Sequence, residues 1–477
     1  MNTPRTRREF LTEVGRGMLV ATVGYEVASN LGLASALGEE TVEPLSFGPL
    51  EPLVCLMQET PADRLLPALV GQLESGADLR KLTTAAALAN ARTFGGEDYV
   101  GFHTMMALAP ALHMAQELPS ELQALPVFKV LYRNTRRIQE RGGRKEEVLH
   151  QVKPAVGPAT GSGGELLRES VRRKEVEPAE QTFVRVAGGT PEEALDALLF
   201  TVQDNTEVHR VVLPYRAWDL LGQIGKDQAH TLLRQSVRYC VKAESWPRKP
   251  GSEDCRAVLP KLLEHHKLLG RSPGERKADD ASIEEMSQTI FRSSPVQAAD
   301  AAAAALADDI APAALGEAIS LAANQLILRD MGRTPREEVA GKPIGSVHGD
   351  SIGLHACDSA NAWRNLALAG NSRNCFASLI LAAYQVPFDR TARGGDFLNW
   401  QPLPLARHLD EINVTRATCK LVDSLPQERP GSVNQYLGLF GEPRDDGFAT
   451  KRRAKSTGRS LKTPGKWMLQ REQKPSE

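Results

Sequence analysis

Asp63-Arg64-Leu65-Leu66-Pro67-Ala68-Leu69-Val70-Gly71-Gln72-Leu73-Glu74-Ser75 puts Leu65, Leu66, Leu69, Val70 and Leu73 at i, i+3, i+4 spacing, the apolar stripe of a helix. Asp78 to Thr93 follows with an alanine-rich run of high helix propensity. Glu192 to Val202, Asp227 to Ala243 and Pro312 to Arg329 keep the same period. The alanine run Ala301 to Ala305 also reads as helix, because alanine is the best helix former. Alternating patterns are scarce, and the best strand candidate, Thr182 to Val186, is short. The expected fold class is all-α.

Within that pattern lies an internal repeat. His103, His209 and His355 each follow an apolar helix, and each is followed by a helix, a polar break and a second helix carrying a tyrosine. The spacings to Tyr132, Tyr239 and Tyr384 are 29, 30 and 29 residues. Ala217-Trp218 and Ala362-Trp363 recur at similar depth in the second and third units. This periodicity predicts stacked helix pairs, bundle-like or solenoid-like, that bury a shared core.

Two stretches break the helical period. Residues 141–181 are rich in Gly, Pro and charge, including Gly161-Ser162-Gly163-Gly164, and read as a linker or surface excursion. Arg329 to Val347 reads as a second irregular connection. The expected organisation is a signal segment over 1–36, helical unit one over 37–140, the linker over 141–181, unit two over 182–295, unit three over 296–450 and a tail over 451–477. That tail holds nine Lys or Arg against two Glu and reads as a solvated, disordered segment.

Composition is that of an ordinary soluble globular chain: 41% hydrophobic, 25% charged, formal net charge −1. Such a balance gives no overall electrostatic pull toward nucleic acid. The cysteines, at 55, 240, 255, 357, 375 and 419, include no CxxC pair, so a zinc ribbon or thioredoxin-type motif is not expected. Mostly buried free thiols are expected, with at most one bridge.

The chain begins with Arg7-Arg8-Glu9-Phe10-Leu11, a modest apolar run from Gly17 to Ala36 interrupted by Glu26, and a small-residue end at Ala34-Ser35-Ala36. That order is a secretory signal, and its adjacent arginines resemble the twin-arginine (Tat) type. The resemblance implies export of an already folded protein to the periplasm or cell envelope, often with a cofactor inserted. The run is too interrupted for a comfortable membrane span. Membrane contact is expected only through this segment or the basic tail.

Ten histidines are present, and His103, His113, His209, His230, His348 and His355 lie in or beside the three units. A neutral imidazole donates a lone pair to iron, copper or zinc at neutral pH. One histidine at the same place in each of three stacked units would converge on one cavity, as sites in helical bundles do. The expected ligands or proton-transfer groups are His103, His209 and His355, with His348, Asp350 and Asp358 as supporting metal donors. His355 and Asp358 share a helix face at i, i+3. The plainer alternative is that each histidine caps its helix or satisfies a buried carbonyl. In the same way, Asp350 or Ser351 serves as an ordinary N-cap, and the carboxylates of Glu97-Asp98 and of Asp204 and Glu207 serve helix starts. Neither HExxH nor GxSxG occurs in the third unit.

These histidine-led helices, over Ala85 to Tyr132, Glu192 to Ala243 and Leu315 to Val386, resemble the questin oxidase-like family. The resemblance implies a helical oxygenase acting on aromatic polyketide-type substrates and assigns no residue a role. Three readings compete. The first is an exported, metal-assisted oxidoreductase or oxygenase, with iron or another transition metal and a small-molecule substrate. The second is a non-catalytic helical-repeat protein that binds an envelope partner, for which the histidines would diverge or sit in separate caps. The third, ranked last, is a hydrolase using His348 and Asp350. The sequence does not decide whether the chain is an enzyme.

The paired arginines carry a direct test. Replacing both, Arg7→Lys with Arg8→Lys, should strand the precursor in the cytoplasm while the wild type loses its first ~36 residues, in line with a signal of about 15–30 residues or slightly more. Fractionation and intact-mass measurement read both effects, and unchanged export would reject the twin-arginine assignment.

Overall fold

The computed structural model describes residues 44–155, 162–246, 254–330, 332–346, 351–391 and 397–399. The expected signal segment, 1–36, and the expected tail, 451–477, lie outside these residues. The described chain is all-α, and its only β-type pairings are isolated bridges such as Pro44 with His150 and Arg276 with Ile310. No helix among the described residues is long and apolar enough to cross a membrane.

The first group of helices is α1 (Glu51–Glu59), α2 (Ala62–Glu74), α3 (Leu79–Phe94), α4 (Tyr99–Met106), α5 (Leu108–Gln116) and α6 (Ala124–Glu140). Asp78 starts α3 by accepting the Lys81 N–H, and Gly95 ends it in the left-handed conformation at φ 53°. Every residue of α3 from Leu82 to Phe94 is buried. A helix buried on all sides belongs inside a core; its many alanines let neighbours approach closely, and its buried Arg92 is paired with Glu51. The nitrogen of its one buried amide bridges two neighbouring helices, while the oxygen of that amide has no hydrogen-bond partner among the described residues. Asn90 Nδ2 donates to the Gly101 carbonyl at 2.8 Å and to Asn134 Oδ1 at 2.7 Å. Asn134 in turn donates to the Ala86 carbonyl at 3.1 Å. These bonds lock α4 and α6 onto α3.

The second group is α7 (Gly163–Arg172), α8 (Val176–Val186), α9 (Pro191–Val202), α10 (Val208–Ile224), α11 (Ala229–Ala243) and α12 (Cys255–His265). Two sequence expectations fail here. Thr182 to Val186 is the last part of helix α8, not a strand. Residues 141–181 are not simply a linker either: α7 and most of α8 lie within them, with Leu167, Val171 and Ala179 fully buried. The boundary placed after residue 181 therefore falls inside α8. The misleading signal was glycine. Ser162 is the N-cap of α7, accepting the Glu165 N–H. A Cβ on Gly164 would stand 2.3 Å from the Phe200 ring. That glycine serves close helix packing rather than flexibility.

The third group is α13 (Asp280–Arg292), α14 (Pro295–Ala307), α15 (Pro312–Arg329), α16 (Ile352–Ala369) and α17 (Ser372–Thr391). Residues 332–346 between α15 and α16 hold no α-helix. Gly353 lets α16 lie on α15, since a Cβ there would come within 2.8 Å of the Ile327 Cα. Trp363 is fully buried, and its indole N–H donates to Gln385 at 2.8 Å, which itself donates to Ser359 at 2.8 Å. This chain of bonds joins α16 to α17.

Each histidine-bearing helix packs on the tyrosine-bearing helix of its own unit: α4 on α6, α10 on α11, α16 on α17. The units meet through α10, which touches α3, α4 and α5 on one side and α16 on another. Buried apolar residues from all three groups form one continuous core. The described cysteines are free, with Cys240, Cys255 and Cys375 buried.

Trp363→Ala should reduce stability by about 3–5 kcal/mol, the usual cost of emptying an aromatic core site. Denaturant unfolding followed by far-UV circular dichroism measures this, and a loss below about 1 kcal/mol would show that α16 and α17 do not depend on it.

Candidate functional site

The first histidine is set by its helix start. Asp98 caps α4 by accepting the Gly101 N–H at 2.7 Å. Burial works against its charge, yet Arg137, the Gly101 N–H and Arg141 hold its carboxyl down at about 2. His103, one turn further on, bonds through Nδ1 to the Tyr99 carbonyl at 2.6 Å. A carbonyl only accepts, so Nδ1 carries the hydrogen and Nε2 the lone pair. Burial lowers the His103 imidazole to about 4, helped by the charges of His209 and His355 and opposed by the Tyr99 bond.

The second histidine sits at the start of α10, and its orientation comes from Glu207. That carboxylate is the N-cap. Its Oε1 accepts the His209 backbone N–H at 3.1 Å and its Oε2 accepts the Arg210 N–H at 2.9 Å. The same Oε1 meets His209 Nδ1 at 2.8 Å, and Oε2 accepts the Tyr239 hydroxyl at 2.8 Å. Burial opposes the Glu207 charge, but the bonds from His209 and Tyr239 hold its carboxyl below the usual range. An ionised carboxylate is acceptor-only, so His209 Nδ1 is the donor. Tyr239 is 2% exposed, and burial beside Glu207 pushes its phenol above the usual range, so it stays protonated.

The third histidine, His355, lies in the first turn of α16. Ser351 precedes that helix as its N-cap residue but makes no side-chain cap bond; its hydroxyl donates to Asp330 instead.

Two ring contacts link the three imidazoles in a row. His103 and His209 have ring centroids 4.9 Å apart, and His209 and His355 5.8 Å apart. They come from three separate helices, with His209 in the middle. Phe102 stacks on His103 at 4.8 Å and lies 5.1 Å from His209. Tyr99 stands 4.4 Å from His103 and is 59% exposed, so it forms the outer wall. Tyr239 closes the inner side, 5.3 Å from Phe102, with Trp246 5.7 Å beyond it.

The remaining expected residues fare differently. Asp358 is exposed one turn along α16 from His355. Partial desolvation raises its carboxyl, against the opposing pull of Arg216, His355 and His209. His348 and Asp350 lie outside the described residues. His113 is elsewhere, half-exposed and paired with Asp219 at 2.9 Å. His230 stacks on Phe183 at 5.7 Å. His266 pairs with Asp300 on the surface of α12. An apolar depression lined by Met286, Ile290, Ala302 and Leu315 is also separate from the histidines. Gly316, next to Leu315, packs against Arg364, which is about 13.5 Å along α16 from His355 at about 1.5 Å per residue.

Among the described residues, no set of three or more His, Cys, Asp or Glu side chains is arranged to hold a metal ion as it stands. The site instead offers two imidazoles with tethered Nδ1 atoms, a third imidazole in ring contact, and an aromatic wall. From sequence, Glu207 reads either as a helix-start carboxylate or as part of a carboxylate–histidine metal shell with His209, and Tyr239 only as a spacing marker, so neither is among the expected site residues. The signal was present in the two-residue offset of an N-cap carboxylate. No protein-family model, characterised protein or solved structure matches the chain.

Two depressed histidines set a pH dependence. His103 stands at about 4, and burial together with Arg234 lowers His230 to about 4 as well. In the unfolded chain each protonates near about 6.5. Between these values the unfolded chain binds more protons, so stability is full above about pH 6.5 and falls as pH drops toward about 4. Unfolding free energies at pH 7 and pH 5 should show the fall, with a smaller slope in His230→Gln. A flat profile would contradict the burial of both rings.

Proposed function

We propose that the meeting point of α4, α10 and α16 is the reaction centre of an enzyme, a metal-assisted oxidoreductase using a transition metal such as iron. The observation that carries this reading is the contact of His103, His209 and His355 from three separate helices. Three imidazoles bound to one ion through metal–nitrogen bonds of about 2 Å place their ring centroids about 5 Å apart. The observed separations of 4.9 and 5.8 Å are of that size. Ligation by all three requires the rings to turn their Nε2 atoms toward a common point. Both observed contacts share His209, so ligation by all three also requires His103 and His355 to approach one another.

The tethering supports the same reading. Metal-bound histidines commonly donate their other ring N–H to a carbonyl or carboxylate. His103 does so to the Tyr99 carbonyl, and His209 to Glu207. The low basicity of His103 keeps its lone pair free of a proton at neutral pH. The paired arginines add export to the periplasm or envelope, a route suited to a protein that acquires its cofactor before transport.

One observation favours a second reading. The donor atoms are not gathered around a point among the described residues. In a metal-free site, His209 oriented by Glu207 would act as general base, the arrangement of an acid–base dyad. The non-catalytic, partner-binding reading called for histidines that diverge or sit in separate caps; the ring contacts speak against divergence, while the bonds of His103 to the Tyr99 carbonyl and of His209 to its N-cap Glu207 suit separate caps.

Elemental analysis of protein produced through its native export route separates the two enzyme readings. The metal reading expects about one transition-metal ion per chain, as for a three-histidine catalytic site with one open position. It also expects that ion to be lost in His103→Ala, His209→Ala and His355→Ala alike. Native protein free of metal, which also takes up no added Fe2+, Co2+ or Zn2+, would reject the metal and leave the acid–base site.

A further inference from the structure

We infer that Glu207 and Tyr239 form a positioning pair that fixes which nitrogen of His209 faces the reaction centre. The inference rests on the reading of the histidine cluster as that centre. It concerns two residues that do not themselves meet the other imidazoles through hydrogen bonds.

Each oxygen of Glu207 serves two donors. Oε1 takes the backbone N–H and the Nδ1–H of His209. Oε2 takes the Arg210 N–H and the Tyr239 hydroxyl. Four donors converge on one carboxylate, so it has no remaining direction in which to rotate. The backbone bonds are set by α10 itself, because Glu207 is its N-cap. The Tyr239 bond comes from α11, which packs along α10. The carboxylate is therefore oriented by two helices before it orients the imidazole.

A neutral imidazole carries its hydrogen on one nitrogen and its lone pair on the other, and the partner of one decides the role of the other. With Nδ1–H directed at Glu207, Nε2 is the nitrogen left for a metal or for a substrate proton. Without Glu207, the ring could flip or change tautomer and present a donor where an acceptor is needed. The neighbouring ring of His103 is fixed in the same sense by a different device, the Tyr99 carbonyl on its own helix. Two imidazoles in ring contact thus hold the same tautomer by independent means. Conformance to one tautomer is what a shared ligand requires and what a pair of merely capping histidines does not.

Glu207 is unsuited to be a ligand itself. Moving either oxygen onto an ion would release the first N–H groups of α10 and the Tyr239 hydroxyl together. Its place is behind His209, not beside it.

The test uses the full mature chain and two readouts. Nitrogen-15 labelling of histidine, read by two-bond proton–nitrogen correlations, reports the tautomer of His209. Titration with Co2+ alone reports metal affinity, and circular dichroism checks that each variant keeps its helices. The wild type should show His209 as the Nδ1–H tautomer. Glu207→Gln supplies one acceptor oxygen where two are used, so it should give a mixed or reversed tautomer and weaken Co2+ binding about 10–100-fold, the usual effect of losing an outer hydrogen-bond partner. Tyr239→Phe leaves the helix cap intact, so it isolates the phenol bond and should weaken binding by roughly tenfold. Wild-type His209 carrying its hydrogen on Nε2, or both variants matching the wild type in tautomer and Co2+ affinity, would overturn the positioning role while leaving the metal reading standing. A wild type that takes no Co2+ would remove the metal reading, and the tautomer shift in Glu207→Gln would then decide the positioning role alone.

Discussion

The site depends on one carboxylate at one helix start. Glu207 satisfies the opening N–H groups of α10, and the same two oxygens hold His209 and Tyr239. The next residue reinforces the position. The Arg210 side chain is fully buried, donating to the Thr201 carbonyl at 3.0 Å and to Glu244 at 2.7 Å. Glu244 also binds Arg256, and Asp204 binds Arg172 at 2.8 Å. The turn from α9 into α10 is thus held by paired charges on both sides. Breaking a buried pair by removing one partner leaves an uncompensated charge and costs about 3–5 kcal/mol. That cost is a physical reason for a fixed α10 start.

A fixed α10 start matters because α10 is shared. It contacts α4, which carries His103, and α16, which carries His355. Neither of those helices needs to find the other. Each packs on α10, and the Asn90–Asn134 network and the close approach at Gly353 set how each one sits. Once α10 is placed, the three imidazoles are brought together by packing. The cluster has its own electrostatic logic. Three imidazolium ions in contact would repel, and burial further disfavours the charged form. His103 accordingly stays neutral down to about 4. A neutral, lone-pair-bearing His103 ring is what a cation or a substrate proton calls for.

The sequence by itself determined the local structure. The 3.6-residue period of leucine and alanine specified helices from Asp63 onward, and the helix class follows from it because a stripe of that period has one stable way to be buried. The three leading histidines were legible too, through their equal spacing to Tyr132, Tyr239 and Tyr384. Local pattern misled where one residue type has two physical uses. The glycines near residue 163 read as a flexible linker, yet Gly164 is small because Phe200 lies against it. Thr182 to Val186 read as a strand because five residues are too few to separate period 2 from period 3.6.

Tertiary structure alone decided the rest. Spacing along the chain cannot say that His103 and His209 lie 4.9 Å apart, because that distance is set by how α4 and α10 cross, not by the residues between them. Nor can it say that Tyr239 faces Glu207, since the bond spans two helices that meet only after the core closes. Asp358 illustrates the limit from the other side: sequence places it on the His355 face, but that its carboxyl also feels Arg216 and His209 follows only from α10 packing against α16. Periodicity assigns a residue to a face of its own helix. What that face meets is fixed by long-range packing, where the burial of all the helices is satisfied at once.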